Sequence, residues 1–380
     1  LQSYKKFPMN KDKVKIPALT GLRTIAAGLV FFYHWLFDYV NDLPLLIGAP
    51  FKVGYVGVPI FFALSGFLIT LRYLNDFGQK KITYKHYLYK RLIRIFPLYL
   101  AVVTLFVAAF GRPLNMIPDS WQGWLSIYTL TQAFFPDWFY LGTLVGWTLT
   151  IELIFYIVAP VLLKLFYKKS IWYTLTICIT ASLLMISIGI GLSFFTPVPN
   201  SLLGAKRNWL MHFSFFGHAP DFFVGMFFAY LYLNQQQDDY PHRHASKLIW
   251  GSSILAYAAT LMLAFRKAPM GTLENRGLGF LIALASSVLV LATALDNKNR
   301  HPVTRLLGLR WMVYLGTISY ALYLIQLTEP IQWLYWLALG KYGGIENRIL
   351  QAVLIYLMAT PIAALFYELI EKPAQRLLLR

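Results

Sequence analysis

Charge is scarce in this 380-residue sequence. Asp, Glu, Lys and Arg make up 13% of it, about half the share in soluble domains. A chain this long with so little charge cannot cover itself with a solvated surface, which excludes a soluble globular fold. Acids are scarcer than bases, 16 against 34, for a formal net charge of +18. Cysteine is nearly absent. Cys178 stands alone in an apolar run, which excludes an intrachain disulfide and a cysteine metal site. The short segments of alternating polarity that mark membrane β-barrels are missing. So are an internal repeat, a loop long enough for a soluble domain and any metal-ligand spacing.

Apolar residues are abundant instead, at 58%, with a mean hydropathy of +0.56. Apolar runs of about 18 residues or more recur, each able to cross a ~30 Å hydrocarbon core as a helix. The pattern predicts an all-α polytopic membrane protein with ten spans, near 17–40, 54–74, 95–110, 147–167, 171–195, 214–233, 248–265, 277–295, 311–337 and 347–370. The first is too long for a removable signal peptide, and no small-residue cleavage site follows it. Residues 121–136 are too short to cross and read as interfacial or re-entrant. The basic arm with Lys5, Lys6, Lys11, Lys13 and Lys15 is placed on the cytoplasmic side. Of the 34 basic residues, only Lys52, Arg112, Lys206, Arg207, Arg266, Lys267, Arg276, Lys341 and Arg348 then fall outside. This bias predicts cytoplasmic termini. The positive charge is read as that bias together with contact to anionic headgroups, not as a nucleic-acid site.

Arg23 and His34 are the exceptional residues of the first span. An ionisable group at membrane depth is costly and marks a functional site by default. The two are about 16 Å apart along a helix, with Arg23 in the inner half and His34 in the outer half. The fourth span crosses in the other direction and sets Glu152 near the depth of His34. The sixth adds His218 and Asp221 in a similar layer, so one polar cavity is expected to hold all four outer groups. A histidine can take a proton from a hydroxyl, and a carboxylate can orient it. The alternative for each is a buried structural hydrogen bond.

A second group lies in the expected inner loop, from Asn75 to Arg94: Lys80, Lys81, Lys85, His86, Lys90, Arg91 and Arg94. Arg91 and Arg94 share a face at the entry to a helix and could grip phosphates bidentately. Positive-inside signalling and headgroup contact form the alternative. Gly57, Ser65 and Gly66 in the second span let helices approach closely. In the ninth span Ser319, Tyr323 and Gln326 recur on one face beside Tyr320, and Pro330 is expected to kink that helix. Trp121, Trp124, Trp138, Phe139 and Trp209 suit either sugar stacking or an interfacial aromatic belt.

Six stretches carry a family resemblance: TGLRTIAAGLVFFYHW (Thr20 to Trp35, with Arg-x10-His spacing), GVPIFFALSGFLIT, KRLIRIFPLY, WTLTIELIFY, ISYALYLIQ and YELIEKPAQ. In this order, across nearly the whole chain, they resemble the membrane-bound acyltransferase-3 family, the type that O-acetylates bacterial surface polysaccharides and Nod factors. The resemblance implies one ten-helix transmembrane domain over residues 17–372, between a cytoplasmic arm (1–16) and tail (373–380), in a bacterial inner membrane. It implies transfer of an acyl group, usually acetyl, from cytoplasmic acyl-coenzyme A (acetyl-CoA) to a hydroxyl of a carbohydrate or glycolipid acceptor at the outer face, with no metal.

By this resemblance Arg23, His34 and Glu152 are catalytic, while Arg91 and Arg94 hold coenzyme A, with Lys90 and Ser65 assigned beside them. His218, Asp221, Tyr320, Tyr323 and Gln326 are assigned to the acceptor. Two positions depart from the family. Many members carry Asp where this chain has Pro59, and His where it has Gln326, which excludes proton transfer at Gln326. No esterase-like domain follows the membrane domain as in some relatives, so any such partner is expected as a separate extracytoplasmic protein. The rival reading is a secondary transporter or a flippase of sugar-linked substrates, which usually shows repeats and broken helices.

Overall fold

The computed structural model describes residues 16–36, 40, 43–108, 117–196, 201–202, 205–235, 242–266, 271–296, 300–339 and 345–379. The basic arm carrying Lys5 to Lys15 lies outside the described residues. Among the described residues no strand occurs. Lipid offers backbone groups no hydrogen bonds, so apolar runs of this length satisfy their own as helices.

The helices are α1 (Pro17–Leu36), α2 (Leu45–Lys52), α3 (Gly57–Gly78), α4 (Tyr84–Val102), α5 (Trp121–Tyr128), α6 (Gly146–Phe166), α7 (Ile171–Leu192) and α8 (Arg207–Phe213). They continue with α9 (Phe215–Asn234), α10 (His242–Phe265), α11 (Leu273–Leu295), α12 (Pro302–Leu307), α13 (Arg310–Ile325), α14 (Glu329–Leu339), α15 (Ile345–Phe366) and α16 (Lys372–Leu378). Short hydroxyl side chains open several of them by accepting from free first-turn N–H groups. Thr83 caps α4 through the His86 N–H, Ser214 caps α9 through Phe216, and Thr272 caps α11 through Asn275.

Among the described residues six helices are long and apolar enough to cross a membrane: Gly54–Gly78, Gly146–Phe166, Ile171–Leu192, His244–Phe265, Leu273–Leu295 and Arg348–Leu378. The 20-residue helices α1 and α9 also stand at expected span positions.

Two local expectations are corrected. The basic loop of 75–94 is a tight connection, because α3 runs on to Gly78 and the Thr83 cap starts α4 at Tyr84. Arg91 and Arg94 therefore sit two and three turns inside a helix, not at its entry. The ninth span is two helices. α13 stops at Ile325, and α14 restarts with Pro330 as its second residue, where a missing N–H costs nothing. The expected tail is helical over 372–378, joined to α15 by a π-helical turn, Tyr367–Glu371. Residues 121–136 hold only the eight-residue α5 and a 3-10 turn, Gln132–Phe134, too short to cross.

The molecule is built around α3. It packs along α9 and also against α1, α6 and α11. The close approach needs glycine: a Cβ on Gly66 would collide with the Phe222 carbonyl of α9, and one on Gly57 with the Ala26 carbonyl of α1. At the periphery α7 exposes Trp172, Leu183 and Leu184, an apolar surface suited to lipid.

Candidate active site

A cavity opens between α1, α3, α4, α6 and α13. Its polar wall is Arg23 from α1, Ser65 from α3, Arg91 and Arg94 from α4, Glu152 and Tyr156 from α6, and Ser319, Tyr320 and Tyr323 from α13. Five helices distant in sequence thus bring eight of the residues singled out in the sequence, with Tyr156, around one space, here termed the arginine cavity. Apart from Thr148 its remaining lining is apolar, including Phe61, Phe62, Leu68 and Leu149.

The charges in this wall are held without ion pairs. Arg91 is 5% exposed. Its guanidinium lies 4.7 Å from the Tyr73 ring centre, 5.7 Å from Tyr156 and 5.9 Å from Tyr87. Ring faces attract a desolvated cation, while its Nε has no hydrogen-bond partner. Glu152 Oε1 accepts from Ser65 Oγ at 3.0 Å and from Tyr156 OH at 2.6 Å. Among the described residues no carboxylate comes within ion-pair distance of Arg23, Arg91 or Arg94. Glu371, in the π-helical turn, acts on Arg23 and Arg94 at longer range. On α13 the Tyr320 hydroxyl donates to the Ile95 carbonyl at 2.8 Å, and Tyr323 shares a 3.0 Å hydrogen bond with Thr148. Lys90 is half-buried and does not line the cavity.

His34 is not among the residues lining the arginine cavity. The expected pairing with Glu152 is replaced by contacts to the Gln326 side chain and the Val30 carbonyl. Its Nδ1 is closed from solvent without a well-formed hydrogen bond. Depth along the helices explains the separation. Glu152 stands six residues, about 9 Å, inside α6, whereas His34 stands two residues from the end of α1. Gln326 is buried at the break after α13, and its amide donates to the Tyr323 carbonyl at 3.1 Å.

His218 lines a separate, small cavity, the histidine cavity, with His212, Arg276, Tyr55 and Trp147 in its wall and Asp221 buried behind it. His218 Nδ1 lies 2.7 Å from Asp221 Oδ2, and Nε2 lies 2.8 Å from the His212 carbonyl oxygen. Both ring nitrogens are engaged, so neither is free to take a proton from a substrate. Arg276 Nη2 donates to Asp221 Oδ2 at 2.9 Å and to the Gly217 carbonyl at 2.7 Å. The expectation of one cavity holding His34, Glu152, His218 and Asp221 therefore resolves into three places. Val58 lines both cavities. Phe62, on the arginine side, meets the His218 ring edge to face at 5.0 Å.

Sequence reading missed Tyr73, Tyr87, Tyr156, Glu371, His212 and Arg276. Tyr156 could have been found, since it lies one turn beyond Glu152. Arg276 counted only as an outer charge, and nothing local tied it to Asp221, 55 residues away. Among the described residues no group of three His, Cys, Asp or Glu side chains is placed to hold a metal ion.

Residues 16–368 match the family of the acyltransferase domain, acyltransferase-3. The chain belongs to this family. The match covers every residue of the arginine cavity, and the transporter reading is not favoured. A peptidoglycan O-acetyltransferase of Listeria monocytogenes is 26% identical across 95% of this chain and 56% of its own length. Nodulation protein 10 of Rhizobium leguminosarum bv. viciae is 31% identical, over 38% of this chain and 43% of its own length. The acyltransferase MdmB of Streptomyces mycarofaciens is 25% identical, over 42% of this chain and 43% of its own. The chain spans about half the length of the curated relatives it matches.

Proposed function

We propose that this multi-pass membrane protein transfers an acyl group, acetyl by its relatives' habit, from acyl-coenzyme A to a hydroxyl of a carbohydrate or glycolipid. The observation that carries this reading is the arginine cavity. Three guanidinium groups face one open space beside a single carboxylate that is occupied by two hydroxyl donors. A diphosphate-bearing donor supplies the negative charge that Arg23, Arg91 and Arg94 lack. Arg91 and Arg94 bind the donor's phosphates from the cytoplasmic side, and Arg23 sits further along the path toward His34. The extended arm of the donor covers the ~16 Å from Arg23 to His34.

At that end His34, held by Gln326, takes the proton of the acceptor hydroxyl as its oxygen attacks the thioester carbonyl. The tetrahedral intermediate collapses and expels the coenzyme A thiolate, which receives the proton from His34. Glu152, tied to Ser65 and Tyr156, shapes the donor site and does not orient the base. The relatives named for O-acetyl transfer support an acceptor of saccharide type, reached from the outer face of a bacterial inner membrane.

The test is donor binding and acetyl transfer by the purified chain with labelled acetyl-coenzyme A and a saccharide acceptor. Saturable binding lost in Arg94→Ala, with transfer lost in His34→Ala, supports the reading. Failure of the wild-type protein to bind coenzyme A overturns it. Glu152→Gln separates the two roles of the acid. The pH profile of transfer stays unchanged if Glu152 serves the donor, and shifts if it orients His34.

A further inference from the structure

A third cavity lies along another face of α6, and the machinery above makes no use of it. Glu152 and Tyr156 turn one face of that helix to the arginine cavity. Thr150, Ile151, Ile154 and Val158 line a separate space of about 230 Å³ between α6, α7 and the start of α9. These four recur at helical spacing over about 12 Å of axis, within a helix long and apolar enough to cross a membrane. Met185 of α7 and Phe215 of α9 stand in the opposite wall.

The lining offers almost no polar surface. Of its two polar side chains near α9, the Ser214 hydroxyl donates to the Leu210 carbonyl and accepts from the Phe216 N–H, and the Thr150 hydroxyl is closed off. An apolar cavity of even ~150 Å³ stays free of water and takes up an apolar molecule. The packing of α7 leaves a way in from the side. That helix packs along α9 and touches α6 only briefly. It closes on α9 at Gly189, where a Cβ would collide with the Phe216 side chain, and one turn earlier Met185 lines the cavity. Beside Val158, α6 exposes Ile157 and Val161, and α7 exposes Leu183 and Leu184. Hydrocarbon is therefore the medium around the gap between the two helices. A void there forfeits dispersion contacts along its lining, and a lipid tail restores them.

We infer that this cavity holds one acyl tail of a bilayer phospholipid, which enters between α6 and α7. The acyl tail completes the packing of α6 behind Glu152 and Tyr156. The lining has no group to recognise a headgroup, so occupancy follows abundance, which favours the bulk phospholipid of the membrane. The site stands independently of the acyl-transfer reading above.

The test uses the full chain in nanodiscs doped with phosphatidylethanolamine or phosphatidylglycerol that carries a diazirine midway along one acyl tail. Adducts are mapped to residues after illumination. Ile151 is 1% exposed and Phe215 4%, out of reach of lipid at the outer surface, so adducts on them report a tail inside. Both lipids are expected to label Ile151, Ile154 and Phe215 alike, beside Leu183 and Leu184 on the surface of α7. Ile154→Trp fills the space and should cut labelling of Ile151 about tenfold, equivalent to ~1.4 kcal/mol of lost binding, with Leu183 and Leu184 labelled as before. If Ile154→Trp does not fold, the wild-type map decides alone. Adducts confined to the surface of α7 overturn the inference, and so does full labelling of Ile151 in a folded Ile154→Trp protein. Labelling of Ile151 by a diazirine-bearing isoprenoid-linked sugar, but by neither phospholipid, overturns the assignment to phospholipid.

Discussion

The two cavities share a wall at Val58, yet they treat charge in opposite ways. In the histidine cavity Arg276 and His218 are both bound to Asp221 and to backbone carbonyls. In the arginine cavity Arg91 rests on tyrosine rings, and Glu152 is bound by hydroxyls. A buried charge without a counterion is costly. Fixing charge with an internal partner gives a rigid wall, whereas leaving it among aromatic faces keeps it ready for a ligand. The difference assigns the mobile ligand charge to the arginine side and the fixed framework to the histidine side, with only the Arg276 Nε and the His212 ring left over.

This contrast can be broken by mutation, beginning with the largest effect. His34→Ala should slow acyl transfer by about 10²–10⁴-fold, the usual contribution of a general base, with coenzyme A affinity unchanged in a binding assay. A parallel loss of donor affinity would mean that His34 and the arginine cavity form one site. Arg94→Ala should weaken donor binding by roughly 10–150-fold, equivalent to ~1.5–3 kcal/mol for hydrogen bonds to a charged group. The remaining affinity should depend less on salt, measured by titration at two ionic strengths. An Arg94→Ala protein with full donor affinity would remove the distinction between the two walls.

Gly66→Ala sharpens the comparison from the helix that both cavities share. Its new methyl meets the Phe222 carbonyl, and such overpacking costs about 1–3 kcal/mol, seen as a lower midpoint of thermal unfolding in detergent. Both cavities should suffer, because α3 and α9 must separate. The smallest effect belongs to Tyr323→Phe, which removes the hydrogen bond to Thr148 at ~1 kcal/mol. Donor binding should weaken slightly.

Much of the arginine cavity was legible in the sequence. Arg23, Ser65, Arg91, Arg94, Glu152, Tyr320 and Tyr323 stood out because polar residues are conspicuous in apolar runs, and each run is long enough to show its helix. The grouping was less legible. Helix arithmetic gives depth only along one axis, and it set His34, Glu152 and His218 in one layer although the helices start at different levels. Arg276 escaped notice because its partner Asp221 lies on another helix, and no periodicity links residues across a helix pair.

Sequence alone determined the class of this protein. Long apolar runs must become helices where the backbone has no other partner, and the scarce ionisable groups within them had to be buried among helices or lost to lipid. Sequence also carried the family, through six motifs spread over the chain. Tertiary structure alone decided which of those groups meet. Helix rotation and offset, set by contacts such as Gly66 against Phe222 and Gly57 against Ala26, put the three arginines around one cavity and Arg276 in the wall of another. Those offsets arise from side chains packing across helices far apart in the chain, and no single segment encodes them.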